Sequence, residues 1–349
     1  MHGVALLGGK LSLTDFKFSE KNRNRAPGLD LFRFLAALVV FLGHAVFFAP
    51  YAQSSADSPY VQWFRTGTFA VDFFFVLSGY VLAGANPNLM WVVARYARLF
   101  PVYLVGVILG ISTNLAVNQG LGSSILGVGL TVIGIQSLFA SYALAVNGPL
   151  WSLSVEILLT PLFQVFWRLR DRTFGMISIL LASVFSLMIF SNSPLVRAIP
   201  FFTLGALLRS QDNKRVILEK KVFNVMISAF LAFYLFYGAS IITKLGYSIQ
   251  GTCLKLAILS SLIYCLRRIE VGLGTSNLFN FVGKRTYVLY VIHGPIVGLL
   301  LSGIKPSTTV SFGFYMLVLI VITVVITEVV YRKVEIPAIT WASRIKKTQ

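Results

Sequence analysis

The sequence predicts an all-α, polytopic transmembrane bundle of about ten spans with both termini cytoplasmic. Three observations lead there. Of 349 residues, 56% are hydrophobic and 12% charged, with mean hydropathy +0.79, whereas a soluble domain is about a quarter charged. Long uncharged runs recur at the length that crosses a hydrocarbon core, about 20 residues for roughly 30 Å. The cations, finally, are distributed between those runs with a bias that a membrane topology explains. The same composition excludes a disordered or collagen-like chain. Cys253 and Cys265 share one apolar segment and offer neither a disulfide framework nor metal-ligand spacing, so no metal is expected.

Eleven candidate runs lie near 29–49, 67–85, 99–115, 121–146, 150–168, 174–191, 195–209, 222–241, 252–266, 286–302 and 311–331. Eleven crossings with the basic N-terminus inside would put Arg168, Arg170 and Arg172, and the Arg209 to Lys221 cluster, outside, against the positive-inside rule. Removing one crossing between 115 and 149 corrects every later loop. The uncharged, Gly- and Ser-rich stretch 121–146 is the one to remove, as a re-entrant or interfacial segment. Ten spans then leave 24 of the 30 Lys and Arg inside. The net charge of +18 is thereby a matter of topology, and nucleic acid drops out as a partner. The predicted domains are a basic cytoplasmic tail at 1–28, a membrane domain at 29–331 and a second basic tail at 332–349. The Gly3 to Gly9 run lacks the basic flank of a signal peptide, so the first span is read as an uncleaved anchor. Gly106 and Gly110 form one GxxxG spacing that reads as close helix packing.

Ionisable residues inside spans are functional candidates, because a charge near the bilayer centre costs at least ~2.5–3.5 kcal/mol. The first span carries Arg33 and His44. Eleven residues at ~100° each bring both to one face, ~16 Å apart in rise. Asp72 lies five residues into the second span and Glu156 six into the fourth. Counted from the outer ends at ~1.5 Å per residue, His44, Asp72 and Glu156 all fall ~7–9 Å deep and are expected to share one pocket. His293 lies nearer the midplane. Lys255 is read as a snorkelling or pore-lining residue without catalytic consequence. On the inner side Arg95 and Arg98, at i and i+3, present two guanidinium forks that suit phosphates.

These segments resemble membrane-bound acyltransferase family three, which includes O-acetylases of O-antigen, peptidoglycan and nodulation factors. Arg33 and His44 meet its Arg, ten residues, His pattern, within a Leu29, Asp30, Arg33, Ala36 opening. Asp72, Phe74, Phe75, Leu77, Ser78 and Gly79 match its Asp-x-Phe-Phe-x-Leu-Ser-Gly signature, and Arg95 and Arg98 its Arg-x-x-Arg. Trp151-Ser152-Leu153-Ser154-Val155-Glu156 matches Trp-Ser-Leu-x-x-Glu; Tyr287, Leu289, Tyr290 and His293 follow near the end, then Glu335 and Pro337. The resemblance runs from about Arg25 to Pro337. Many relatives carry an appended extracytoplasmic esterase-like domain, to which nothing in this match corresponds.

The resemblance implies transfer of an acyl group, acetyl in the first place, from acyl coenzyme A to a hydroxyl of a glycan or glycosylated lipid, in a bacterial-type cytoplasmic membrane. His44 is then expected to be the general base, oriented by Asp72 or Glu156, with transient acylation of His44 as a variant. Arg95 and Arg98 are expected to hold the coenzyme A phosphates. Arg33 is a candidate for stabilising the thioester oxyanion, although ~16 Å of rise separates it from His44. His293, Ser78, Trp151, Ser154 and Tyr290 complete the candidates. Buried Arg, His, Asp and Glu also suit a proton-coupled transporter, the principal alternative, and a scaffold or channel subunit is the third reading.

Overall fold

The computed structural model of the chain describes residues 27–49, 67–84, 88–117, 125–144, 146–169, 173–190, 193–210, 248–267 and 273–347. The predicted span at 222–241 and most of the N-terminal tail lie outside the described residues. The elements, in chain order, are α1 (Pro27–Phe47), α2 (Gly67–Ala83), α3 (Leu89–Ala116), α4 (Ile125–Ile133), α5 (Leu150–Leu169), α6 (Thr173–Phe190), α7 (Pro194–Ser210), α8 (Ile249–Leu266), α9 (Leu273–Gly303), α10 (Thr309–Val330) and α11 (Ile336–Lys347). No strand occurs among the described residues, so the fold is all-α. Five helical stretches are long and apolar enough to cross a membrane: Pro27–Val46, Leu89–Ala116, Ile249–Leu266, Ser276–Gly303 and Thr309–Ile345. The protein is a multi-pass membrane bundle.

In hydrocarbon a backbone polar group finds no water, so helix ends and breaks must be satisfied by the chain itself. Asn88 caps α3 by accepting from Trp91 N at 2.8 Å, Ser248 caps α8, and Thr308 with Ser311 forms a capping box on α10. Prolines inside helices leave the carbonyl four residues earlier without its donor. Pro161 does this to Ile157, whose oxygen accepts from the Tyr96 hydroxyl at 2.7 Å. Pro295 does it to Val291, whose oxygen accepts from Asn147 Nδ2 at 3.0 Å. Both repairs come from a different helix or loop, so each proline break also fastens two elements together.

Contacts between helices give their directions. Asp30 packs on Gly283 and His44 on His293, so α1 and α9 run parallel. Arg95 meets Glu156, while Gly106 faces Leu150 and Gly110 faces Val146, so α3 and α5 run antiparallel. The stretch joining α3 to α5 therefore leaves and returns at the same end of the bundle. Within it α4 has only nine residues, ~14 Å of rise. After α4 the chain turns at Gly134, whose φ of 80° is the left-handed region glycine tolerates, and continues as one-turn 3-10 helices at Gln136–Leu138 and Ala140–Tyr142. The turn reaches Tyr103, whose hydroxyl donates to Thr131 O at 2.7 Å and lies 3.1 Å from Gln136 Oε1. Tyr103 is thirteen residues, ~20 Å, from the end of α3.

Among the described helices, α2 and α7 pack backbone to backbone. A Cβ on Gly79 would collide with the Phe202 carbonyl, and one on Gly205 with the Val76 carbonyl. The glycine of the Leu-Ser-Gly element thus serves backbone contact, as do Gly106 and Gly110 against Val291 and Val146. α10 shows the opposite character: Val310, Phe314, Leu317 and Val324 are exposed apolar side chains on a helix that buries little, a surface suited to lipid. A π-helical turn at Tyr331–Glu335 carries α10 into α11, where Ala342 packs against Ala94 and Ala97 of α3. The region expected as a C-terminal tail is helical through Lys347.

Candidate functional site

Three polar groups lie apart in the bundle. Near the C-terminal end of α1, His44 Nδ1 donates to its own helix carbonyl, Val40 O, at 2.9 Å. His293 Nε2 approaches the same Nδ1 at 3.0 Å, and the ring centroids lie 5.1 Å apart. His293 is fully buried and its Nδ1 donates to Leu289 O at 3.2 Å. Carbonyls only accept, so both rings carry their proton on Nδ1, which leaves the His293 Nε2 lone pair facing His44. His44 Nε2 takes part in no hydrogen bond among the described residues. Around the pair stand Phe41, Phe48 stacked on His44, and Tyr290, whose hydroxyl lies 2.7 Å from Ser152 Oγ. Phe74 packs edge-on against Tyr290, and Trp151 sits between Phe75 and the Arg197 guanidinium.

The second is an ion pair between Asp72 of α2 and Lys255 of α8, 3.1 Å apart with both side chains 1% exposed. The third centres on α3. Arg95 is paired with Glu156 of α5. Arg98, one turn on, is exposed and makes no hydrogen bond or ion pair among the described residues, within electrostatic reach of Glu335, Glu156 and Tyr287. The Tyr287 hydroxyl donates to Leu99 O at 2.7 Å, tying α9 to this end of α3. Arg33 lies 3.5 Å from Asp30 on the inner half of α1.

This distribution corrects the expectation that His44, Asp72 and Glu156 share one pocket. The depth count assumed that every helix begins in one plane. In the structure Gly67, the first residue of α2, sits opposite Val40, a turn below His44, and Phe73 packs on Phe32. Asp72 is therefore about ten residues, ~15 Å, inward of His44. α5 likewise begins opposite Gly106, far from the end of α3, which carries Glu156 inward to Arg95. The reading of Lys255 as a snorkelling or pore-lining residue is also corrected, since it is buried against Asp72.

Of the remaining candidates, His293 and Tyr290 join His44, and Trp151 stands beside Ser152 in the same region. Ser154 instead binds the re-entering turn: it donates to Gly134 O at 2.8 Å and lies 2.8 Å from Ser137 Oγ. Ser78 is half-buried on α2, six residues inward of Asp72. Residues that sequence reasoning missed are Asn147, which bridges Gly106 O and Val291 O, and Gln136, which binds Leu150 O. Both are uncharged, and their only signal was polarity in an apolar stretch.

An imidazole pair near one end of a membrane bundle and, further along it, an exposed guanidinium without an ion pair among the described residues define a polytopic protein with two chemically different regions. The sequence matches the family described as Acyltransferase domain over residues 27–328, and the chain belongs to this acyltransferase family three. It is similar to acyltransferase MdmB of Streptomyces mycarofaciens, 30% identical over 154 residues, which cover 42% of this chain and 40% of that relative. The match thus spans about two-fifths of the relative's length. No solved structure matches the chain.

Proposed function

We propose that the protein transfers an acyl group, acetyl in the first place, from acyl coenzyme A to a hydroxyl of a carbohydrate or lipid-linked glycan at a cytoplasmic membrane of bacterial type. The family match over residues 27–328 is the observation that carries this reading, and it disfavours the transporter alternative. His44 Nε2 is the general base. It removes the proton of the acceptor hydroxyl as that oxygen attacks the thioester carbonyl; the carbon–sulfur bond then breaks and the coenzyme A sulfur leaves as the thiolate or, with the proton returned from His44, the thiol. Uptake of the proton at Nε2 leaves a charge that Nδ1–H shares with its acceptors. The tyrosine, tryptophan and phenylalanines about the pair supply an apolar, stacking wall suited to a sugar face.

Arg98 is the donor-binding cation. Arg95 is ion-paired with Glu156, which leaves Arg98, exposed one turn on, as the fork better placed for phosphate oxygens. Purified protein in nanodiscs, given labelled acetyl coenzyme A and a panel of glycolipids, is expected to consume thioester only with an acceptor present; no turnover with any acceptor would overturn the reading. Arg98→Ala is expected to raise the donor KM ~10–100-fold with little change in kcat, the loss of one charge-assisted contact of ~1.5–3 kcal/mol, and Arg95→Ala to do less.

The stretch 121–146 is read as re-entrant from the outer side, supported by the antiparallel α3 and α5. Single cysteines at Ile125 and Leu144, both exposed, are expected to react with an impermeant maleimide only from outside. Reaction from the inner face at either position would mean that the stretch crosses.

A further inference from the structure

We infer that His293 is the positioning residue of the His44 base, in the place that no carboxylate among the described residues takes. The inference rests on His44 acting as the base. In a Ser-His-Asp arrangement a buried carboxylate accepts the imidazole Nδ1–H, fixes the tautomer and stabilises the imidazolium. Here the two carboxylates the sequence offered for that role are engaged elsewhere, Asp72 with Lys255 and Glu156 with Arg95. The group that faces His44 Nδ1 from another helix is His293 Nε2, at 3.0 Å.

Each feature of His293 fits an acceptor held in place. Its Nδ1–H is used by Leu289 O, so Nε2 carries a lone pair and no proton. It has no exposed surface, and its ring packs against Phe41 and Tyr290. It reaches His44 from α9, whose axial register against α1 is set by the close approach of Gly283 to Asp30. Val40 O also accepts the His44 Nδ1–H, but it belongs to the same helix, one turn back, and is already part of the helix ladder. Val40 O therefore selects the tautomer, whereas His293 adds a second acceptor, with a lone pair of its own 3.0 Å from Nδ1, whose hydrogen bond strengthens as positive charge develops. Two neutral rings suit a membrane interior better than an imidazole beside a carboxylate. In the resting state the histidine pair buries no charge, and the single positive charge formed during transfer is shared along a hydrogen bond rather than trapped in an ion pair.

The geometry predicts which replacements function. Asparagine at 293 retains an amide at the δ position, able to donate to Leu289 O, and has nothing at the ε position. Glutamine carries its amide oxygen to about where Nε2 lies and can accept from His44. In nanodiscs with a fixed acceptor, His293→Asn is expected to lower kcat ~10²-fold, the low end of a general-base contribution, with donor KM changed less than about threefold. His293→Gln is expected to recover at least ~10-fold of that loss. The nitrogen-15 signals of His44 report the same contact directly, with the Nδ1–H shift moving in His293→Asn and returning toward wild type in His293→Gln. A merely structural role would make both variants alike in kcat, or would shift donor KM and unfolding temperature together with kcat; either result overturns the inference. His44→Ala measured alongside separates the two levels. If it is inactive while His293→Asn turns over at the wild-type rate, the positioning role fails and the base stands. If His44→Ala is fully active, both fail.

Discussion

Replacing His44 with alanine is expected to lower kcat by ~10²–10⁴-fold, the contribution of a positioned general base, while leaving the donor KM and the assembly of the bundle nearly unchanged. The expectation follows from what the side chain does in the fold. His44 is only half-buried, and its structural contacts are a hydrogen bond to Val40 O, one to His293 and a stack on Phe48. Truncating it removes few buried apolar contacts, and the one neighbouring polar atom it leaves unpaired is a neutral Nε2. It removes, however, the accessible nitrogen lone pair near the C-terminal end of α1. The donor's phosphates are assigned to Arg98, further along the bundle, so binding of coenzyme A is insulated from the change. The check is initial-rate kinetics with varied donor, beside thermal unfolding in the same detergent. A His44→Ala protein that turns over at the wild-type rate would remove His44 from the chemistry. A donor KM raised in proportion to the fall in kcat would place the thioester's binding, and not only its reaction, at the imidazole.

Apart from the run at 222–241, which lies outside the described residues, the composition and the spacing of apolar runs made an all-α membrane bundle legible, because each answers to a local rule of length or hydropathy. Arg33 and His44 could be placed on one face for the same reason. Depth was not local. Whether Asp72 and His44 are level depends on where α2 begins relative to α1, and that is set by Gly67 packing against Val40, a contact between segments separated by loops of unread conformation. The pairing of charges was illegible for a related reason. Asp72 had several possible counter-ions at plausible depths, and the one chosen, Lys255, comes from a helix nearly two hundred residues on in the chain. Asn147 illustrates a third limit: the need it meets, the Val291 carbonyl released by Pro295, is visible in the sequence, but the donor that meets it arrives from a loop between α4 and α5. Proline positions announce orphan carbonyls without naming their partners.

The largest stability effect is expected at Asp72 and Lys255. Each is 1% exposed, and the pair lies in the interior of the bundle between α2 and α8. Removing one partner strands the other's charge where neither water nor lipid headgroups can reach it, and breaking such a pair costs ~3–5 kcal/mol. Asp72→Leu and Lys255→Met are each expected to lower the unfolding temperature sharply, whereas the double variant, which leaves neither charge of the pair behind, is expected to be more stable than either single one. The same variants decide between the two roles open to Asp72. If it only balances Lys255, the double variant regains kcat along with stability, because His44 lies ~15 Å further out and its orienting partner is His293. If Asp72 acts on the base through a change of arrangement, the double variant regains stability and stays inactive. Thermal unfolding and thioester turnover on one set of four proteins therefore separate an ion pair that holds two helices together from a carboxylate that serves the reaction.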